Sequence, residues 1–177
     1  MLGIMDWNRL LETAETTARE AGKILLEGAG DLREVEFQDQ RDVKLRADRE
    51  SEDRIREALG KATGYPVYGE EHGGDETLRE RYEPYWVVDP LDGTYNYLRG
   101  CALCAVSIGL MRGETPLLGV IHDFHAGTTY SGIVAGDFRV NGRPVTPQWE
   151  TRQEQAALAT GFPAGMDRSP ARMEAFV

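Results

Sequence analysis

The stretch that decides the fold is "WVVDPLDGTYNY", residues 86 to 97. It opens as a short apolar β-type run and then places two aspartates, Asp89 and Asp92, three residues apart. Pro90 stiffens the bend between the acids, and Gly93 allows the backbone to approach a ligand closely. Clustered carboxylates are costly unless a cation neutralises them. This stretch therefore predicts a cation site at the end of a buried strand.

Two further segments end in acids at the boundary of a predicted element. Glu70 and Glu71 lie in "YGEEHGG" after another short β-type run, and Asp48 closes "RDVKLRAD" before a helical pattern. Strand ends and the loops after them are where sheet proteins build their sites. Mg²⁺ prefers oxygen ligands, which carboxylates from separate segments can supply. For Glu71 an ordinary surface charge is the competing interpretation, and for Asp48 a helix N-cap.

The residues between and after the aspartates complete a predicted phosphate site. The carbonyl of Leu91 can turn inward between the acids, and the N–H groups of Gly93 and Thr94 can hold an anion. The Thr94 hydroxyl and the Asp48 carboxylate can orient a metal-activated water and accept its proton. The sequence offers no strong candidate for a covalent nucleophile. This pattern predicts metal-assisted hydrolysis of a phosphate ester.

Composition narrows the class of protein. The chain has 177 residues, of which 41% are hydrophobic and 28% charged, with a formal net charge of -10. That balance is typical of a soluble globular protein and argues against non-specific nucleic-acid binding. The first residues resemble no signal peptide, no apolar stretch is long enough for a spanning helix, and there are two cysteines. We expect a cytoplasmic protein without nucleic-acid or membrane partners.

Periodicity predicts two helices followed by a mainly antiparallel sheet, an α+β fold. The helices are expected over 6–27 and 49–59, and the strands over 65–69, 85–89, 101–113, 115–124, 127–134 and 137–145. Asn141-Gly142 is a tight-turn signal. The charged segment 33–42 is expected to be an exposed loop or one that closes over the site. Cys101 and Cys104 are expected to be buried in a strand, and His122 and His125 to lie in a solvated turn.

The motifs resemble those of the inositol monophosphatase family of Mg²⁺-dependent, lithium-sensitive phosphatases. The resemblance rests on "GEEHGG", "WVVDPLDGTYNY", "CAVSIGL", "GVIHDF" and "VNGRPV", and more loosely on "DVKLRAD". It implies the layered α/β sandwich of the inositol monophosphatase and fructose-1,6-bisphosphatase type. The family's W-D-x-A-A-G motif is not found after residue 150. We therefore expect a metal- and phosphate-binding domain over 1–150, the start of a truncated C-terminal α/β domain over 151–177, and an exposed apolar face.

The resemblance also implies a role for each matching residue. The implied metal ligands are Glu70, Asp89, Leu91 through its carbonyl, and Asp92, and the implied catalytic pair is Asp48 and Thr94. Substrate and phosphate would contact Glu70, Leu91, Asp92, Gly93 and Thr94. The implied activity is that of a phosphoric monoester hydrolase acting on a small phosphorylated polyol, inositol monophosphate by default, with Mg²⁺ as cofactor and a homodimer as assembly. The alternatives are a fructose-1,6-bisphosphatase, a 3′(2′),5′-bisphosphate nucleotidase or a non-catalytic fragment that binds metal and phosphate.

Overall fold

The computed structural model describes residues 6–28, 30, 34–39, 42–146, 152–156 and 169–174, and its elements are as follows. The helices are α1 (Trp7–Glu27), α2 (Arg46–Thr63), α3 (Thr94–Leu98) and α4 (Pro170–Glu174), with 3₁₀ turns at Glu76–Glu80 and Gln153–Gln155. The strands are β1 (Val35–Asp39), β2 (Asp42–Leu45), β3 (Val67–Gly69), β4 (Pro84–Asp92), β5 (Ala105–Arg112), β6 (Thr115–Asp123), β7 (Thr128–Ile133), β8 (Phe138–Val140) and β9 (Arg143–Pro144).

Helix α1 forms where its three- and four-residue apolar spacing predicts it. Asp6 is the N-cap, and its carboxylate accepts a hydrogen bond from the Arg9 N–H at 3.1 Å. The buried face is mostly alanine and leucine, including Leu11, Ala18 and Leu25. This face lies against β5, β6 and β7 and against α2. Burial of that stripe, rather than helix propensity, holds α1 in place.

Helix α2 begins three residues before the predicted start and ends four residues later, at Thr63. Its apolar face is buried, and Ile55 and Leu59 on that face have no exposed surface. The same face also buries Asp48 and Glu52, two acids whose burial the apolar pattern of the helix does not predict. α2 packs against α1 and against β4. It therefore connects the helical layer to the strand that carries Asp89.

A seven-stranded sheet forms the second layer, with the strand order β3-β4-β5-β6-β7-β8-β9. β3 runs parallel to β4, and the other neighbouring strands are antiparallel. One face of the sheet packs on α1 and α2 through buried side chains such as Trp86, Ile108 and Val120. The predicted α+β architecture is confirmed. Asn141 and Gly142 form the expected turn, both with positive φ, between β8 and β9.

The opposite face of the sheet carries apolar side chains that reach solvent. Val87, Ile121, Tyr130 and Phe138 are exposed to between 37% and 51%. The rings of Tyr130 and Phe138 stack on this face with centroids 6.5 Å apart. An exposed apolar face is what the resemblance implied for this chain. The domain boundary expected at residue 150 lies outside the described residues and stays a prediction.

The segment between the two helices is not simply a loop. Val35–Asp39 pairs with Asp42–Leu45 in an antiparallel hairpin. Apolar residues alternate with charged ones in both strands, and this period of two is the strand signal that the high charge obscured. The expectation of an exposed loop over 33–42 is therefore wrong for the described part of that segment. Within the described stretches, no helix combines the length and apolar composition that a membrane crossing requires.

Two side-chain expectations are also wrong. The strand expected to begin at residue 101 begins at Ala105, so both cysteines precede it; Cys101 is exposed, contrary to expectation, whereas Cys104 is buried as expected. His122 does not lie in a turn: it faces α1 from within β6, and its Nδ1 lies 3.0 Å from the Thr129 hydroxyl. The register pairs His122 with the buried Val106, which places it on the helix side of the sheet. His125 lies in the exposed turn after β6, as expected.

We predict that Ser131→Ala destabilises the layer contact between α1 and β7. The Ser131 hydroxyl donates to the buried Glu15 carboxylate at 2.5 Å, and Glu15 would lose that partner inside the protein. An unsatisfied buried acceptor costs about 1–3 kcal/mol. Urea denaturation should show a loss of this size, whereas Ser107→Ala, on the open face of the sheet, should stay within about 0.5 kcal/mol of the parent. Equal stability of both variants would contradict the prediction.

Candidate active site

Asp89 and Asp92 lie at the carboxyl end of β4, where the strand is irregular. Asp89 pairs with Ser107 and Asp92 with Ala105, so the pairing with β5 shifts by one residue between the two acids. Pro90 falls inside this bulge and has no N–H to donate. Bulges of this kind re-aim side chains and are common next to sites. The predicted bend between the acids is therefore a bulge in a strand that continues to Asp92.

Glu70 joins Asp89 because β3 runs parallel to β4. Gly69 is paired with Val88, and the Glu70 N–H donates to the Val88 carbonyl at 3.1 Å. Parallel pairing puts the carboxyl ends of both strands at the same edge of the sheet. At that edge the Glu70 carboxylate lies close enough to Asp89 for its charge to raise the pKa of the Asp89 carboxyl group. The predicted convergence of acids from separate segments is present in the structure.

Other acids lie close to Asp89 at this edge of the sheet. Burial, the Glu70 charge and the Asp92 charge together raise the pKa of Asp89 from its ordinary 3.8 to about 8. A carboxyl group with that pKa holds a proton at neutral pH, where a cation of higher charge would compete for the same oxygens. In the described part of the chain, no three Asp, Glu, His or Cys side chains already form a closed metal-binding cluster. The donor chemistry nevertheless fits a hard divalent cation.

Leu91 and Thr94 tie the acidic bulge to α3. The Leu91 N–H donates to Asp89 Oδ1 at 3.1 Å, and its carbonyl accepts from the Thr94 hydroxyl, also at 3.1 Å. Gly93 precedes α3 with φ of 90°, and a Cβ there would lie 2.7 Å from the Leu103 carbonyl oxygen. Only glycine suits that position, so the chain turns from the bulge into α3 within one residue. Gly93 is the N-cap of this short helix.

Asp48 reaches the same place from the first turn of α2. Its Oδ2 accepts from the Leu45 N–H at 2.6 Å, and its Oδ1 accepts from the Thr94 hydroxyl at 3.2 Å. Burial raises the pKa of Asp48 to about 7, helped by the Glu71 charge and opposed by the hydrogen bond from Leu45. The N-cap residue is Leu45, so the interpretation of Asp48 as the N-cap is wrong. Its carboxylate accepts a hydrogen bond from the backbone N–H at the start of the helix and also faces Thr94.

The structure thus brings together Glu70 with Asp89, and Asp48 with Thr94 and the Leu91 carbonyl. Asp92 lies at the same strand end with an exposed side chain, and its charge reaches Asp89. The individual roles assigned to these residues stay predictions. Glu71, expected to be a surface charge, is half-buried and paired with Lys44 of β2 at 3.0 Å.

Sequence reasoning missed the buried pair of Glu52 and Arg56 on α2. Arg56 Nε donates to Glu52 Oε1 at 2.7 Å, and Glu52 is fully buried. The signal was available: Glu52 falls on the same helical face as Asp48, Ile55 and Leu59, where a charged residue is rarely tolerated without a partner. The pair also binds backbone groups of β3 and the loop after it, and no local sequence pattern predicts that contact.

A cleft adjoins the acids on the open side of the sheet. Its volume is about 710 Å³, which is within the range that holds a small molecule. Its charged and aromatic lining includes Tyr68, Glu70, Arg79, Tyr85 and Asp89. The Arg79 guanidinium lies over the Tyr68 ring at 5.7 Å. The acids therefore border open space large enough for a metabolite.

Comparison with known proteins gives a consistent result. The model of the inositol monophosphatase family matches residues 6–176. The fructose-1,6-bisphosphatase/inositol-1-monophosphatase of Aquifex aeolicus is 33% identical over 159 residues, which cover 88% of this chain and 59% of that protein. The inositol-1-monophosphatase of Mesorhizobium japonicum is 33% identical over 162 residues, which cover 90% and 60%.

Solved structures agree with the sequence comparisons. The extragenic suppressor protein suhB from Bartonella henselae superposes with a TM-score of 0.72 at 28% identity, covering 82% of this chain and 56% of that one. The inositol monophosphatase from Anabaena superposes with a TM-score of 0.67 at 26% identity, covering 81% and 51%. The chain belongs to the inositol monophosphatase family. It spans no more than 60% of the length of these curated relatives.

We predict that the metal-free protein loses stability as the pH rises from 5 to 8. Asp48 and Asp89 have raised pKa values of about 7 and about 8 in the folded state but ionise near 3.8 when unfolded. Their contribution is complete below pH 3.8 and is lost as the pH rises through the folded pKa values. We expect the free energy of unfolding to fall by about 2 kcal/mol or more over that interval.

Saturating Mg²⁺ should flatten this pH dependence, because the cation replaces the proton as the partner of the acids. Asp89→Asn should flatten it without metal and should also remove most of the Mg²⁺-induced increase in melting temperature. Denaturant titrations at several pH values, with and without Mg²⁺, measure both effects. A metal-free protein whose stability rises between pH 5 and pH 8 would refute the assignment.

Proposed function

We propose that this member of the inositol monophosphatase family carries the cation- and phosphate-binding part of a Mg²⁺-dependent phosphomonoesterase. The substrate we propose is a small phosphorylated polyol, with inositol monophosphate as the default. The observation that carries the proposal is that two groups of side chains meet at the carboxyl end of β4. The Glu70 and Asp92 charges act on the buried Asp89 carboxyl group, and the Asp48 carboxylate accepts a hydrogen bond from the Thr94 hydroxyl at 3.2 Å.

The proposed cation ligands are the Glu70, Asp89 and Asp92 carboxylates and the Leu91 carbonyl. When bound, Mg²⁺ would neutralise the acids, activate water and stabilise negative charge on the phosphate and the leaving group. The Leu91 carbonyl can bind a cation while it accepts the hydrogen bond from Thr94, because a carbonyl oxygen has two lone pairs. The backbone of Gly93 and Thr94 is proposed to contact the phosphate.

Asp48 and Thr94 provide the path for the proton of the attacking water. The Thr94 hydroxyl has one hydrogen and two acceptors, Asp48 Oδ1 at 3.2 Å and the Leu91 carbonyl at 3.1 Å. As Thr94 takes a proton from water, it can pass its own to Asp48 Oδ1, since Oδ2 is held by the Leu45 N–H. A pKa of about 7 lets Asp48 both accept and release that proton near neutral pH.

A bisphosphorylated substrate is the second candidate within the same reaction class. The supporting observation is the relative from Aquifex aeolicus, whose name joins fructose-1,6-bisphosphatase with inositol-1-monophosphatase. A 3′(2′),5′-bisphosphate nucleotidase is a further member of this class. Comparison of inositol 1-phosphate, fructose 1,6-bisphosphate and adenosine 3′,5′-bisphosphate at equal concentration distinguishes the three.

The remaining proposals concern the oligomeric state, the cellular location and the partners of the protein. From the family resemblance we propose a homodimer. From the acidic net charge of -10 and the small number of cysteines, two in 177 residues, we propose a cytoplasmic protein without nucleic-acid or membrane partners. The alternative of another class is a non-catalytic fragment that binds metal and phosphate. Binding of Mg²⁺ and inorganic phosphate without release of phosphate from any of the three esters would favour that alternative.

We predict that Asp48→Asn lowers the rate of Mg²⁺-dependent phosphate release by about 10²–10⁴-fold, since it removes the proton acceptor. Thr94→Val should produce a loss of similar order, whereas Thr94→Ser retains the hydroxyl and should keep most of the activity. Steady-state release of phosphate from inositol 1-phosphate measures these effects. Asp137→Asn, at an exposed aspartate in the turn before β8, is the matched control and should leave the rate unchanged. Turnover by Asp48→Asn at the parent rate would refute the proton path.

A further inference from the structure

The carboxylate of Glu52 holds the loop that follows β3. It accepts the Glu71 N–H at 2.7 Å through Oε2 and the His72 N–H at 3.2 Å through Oε1. Glu52 lies on α2, is 0% exposed and is 19 residues or more from both donors in sequence. The N–H of Glu70 is held from the other side by the Val88 carbonyl at 3.1 Å. Three consecutive backbone N–H groups, beginning with that of Glu70, are therefore fixed.

The loop backbone lies directly on this carboxylate. A Cβ at Gly69 would lie 2.0 Å from Glu52 Oε1 and 2.2 Å from its carboxyl carbon, so the packing requires glycine there. The contact leaves no space in which the loop could shift toward α2. Glu70, the residue after Gly69, therefore leaves β3 in a direction set by the Glu52 carboxylate.

Arg56 completes the support one helical turn later. Its Nε donates to Glu52 Oε1 at 2.7 Å, its Nη1 donates to the Val67 carbonyl at 2.8 Å, and its Nη2 donates to the Gly73 carbonyl. The guanidinium thereby neutralises Glu52 and binds both ends of the segment that carries Glu70. The fork geometry of arginine allows these three donations at once, which a lysine cannot reproduce.

Glu52 is not itself a cation ligand in this arrangement. Its two oxygens accept three hydrogen bonds, from Arg56, Glu71 and His72, and the side chain has no exposed surface. A buried ion pair is weak support for stability, since an apolar pair of similar volume often does as well. What an apolar pair cannot do is bind backbone N–H and carbonyl groups of the loop. The Glu52–Arg56 pair therefore acts by binding and holding the loop.

We propose that Glu52 and Arg56 are positioning residues that hold the Glu70 carboxylate against Asp89 before a cation binds. The two acids repel one another once ionised, and a loop free to move would carry Glu70 away from Asp89. Fixing the loop removes that freedom, so less of the binding free energy is spent on ordering the site. This inference rests on the proposed function in one respect, the role of Glu70 as a cation ligand.

The test is calorimetric titration of the 177-residue chain with Mg²⁺, comparing Glu52→Gln with Glu57→Gln. The Glu52→Gln substitution would replace one acceptor oxygen by an amide NH₂ donor, where the loop N–H groups and Arg56 need acceptors. We expect the Kd for Mg²⁺ to rise by roughly 10–100-fold in Glu52→Gln with an unchanged number of sites per folded chain. Glu57 lies on the same helix, is exposed and pairs with Lys61 at the fourth residue along, so Glu57→Gln should keep the parent Kd.

Arg56→Lys provides a second variant that keeps the positive charge and loses the fork. We expect its Kd for Mg²⁺ to lie between those of the parent and Glu52→Gln. This variant decides the matter if Glu52→Gln does not fold. A merely structural role predicts fewer binding sites per chain at the parent Kd, because only the folded fraction changes. That result, or a Kd within about twofold of the parent in every variant that folds, would overturn the inference.

The same titration separates this inference from the proposed function. A parent chain that binds no Mg²⁺ would overturn both, because the cation site itself would be absent. A parent chain that binds Mg²⁺ through Glu70, judged by loss of binding in Glu70→Gln, together with unaffected binding in Glu52→Gln and Arg56→Lys, would leave the cation site intact. In that case only the positioning role of the pair would be refuted.

Discussion

Repulsion between carboxylates held close together is the constraint on which this structure depends. Glu70 and Asp89 lie at the ends of two parallel strands, and burial together with the neighbouring charges raises the pKa of Asp89 to about 8. Ionised side chains in this arrangement would move apart unless the backbone around them held them in place. Here the bulge in β4, the glycine at position 93 and the loop after β3 all hold them in place. In the metal-free protein a proton on Asp89 relieves this repulsion at neutral pH, and a divalent cation would replace that proton on binding.

Helix α2 links the parts of the site across the two layers. Its first turn supplies Asp48, which accepts from both Leu45 and Thr94. The next turns supply Glu52 and Arg56, which bind the loop carrying Glu70. A shift of α2 would therefore move both Asp48, the proposed proton acceptor, and Glu70, the first predicted ligand. This shared support explains why the buried face of α2 contains charged residues among Ile55 and Leu59.

Much of the fold, and the grouping of the acids in the candidate site, could be predicted from sequence for definable reasons. Helix α1 shows an uninterrupted apolar period, and the acids around Pro90 combine with Gly93 and Thr94 in a pattern that few structural roles require. The hairpin over β1 and β2 was missed because charge dominated its alternation. The burial of His122 was missed because it depends on strand register rather than on composition. The role of Glu52 was missed because its loop partners are backbone groups far away in sequence, which no local pattern reveals.

The most direct test of the account is the anomalous diffraction of crystals of the 177-residue chain soaked in Mn²⁺ as a substitute for Mg²⁺. We predict a strong anomalous peak at the end of β4, within about 2.5 Å of carboxylate oxygens from both Glu70 and Asp89. Data from Asp89→Asn crystals treated in the same way should lose that peak. A parent structure with Mn²⁺ bound only at other acids, or with Glu70 turned away from Asp89 at saturating Mn²⁺, would contradict the central claim.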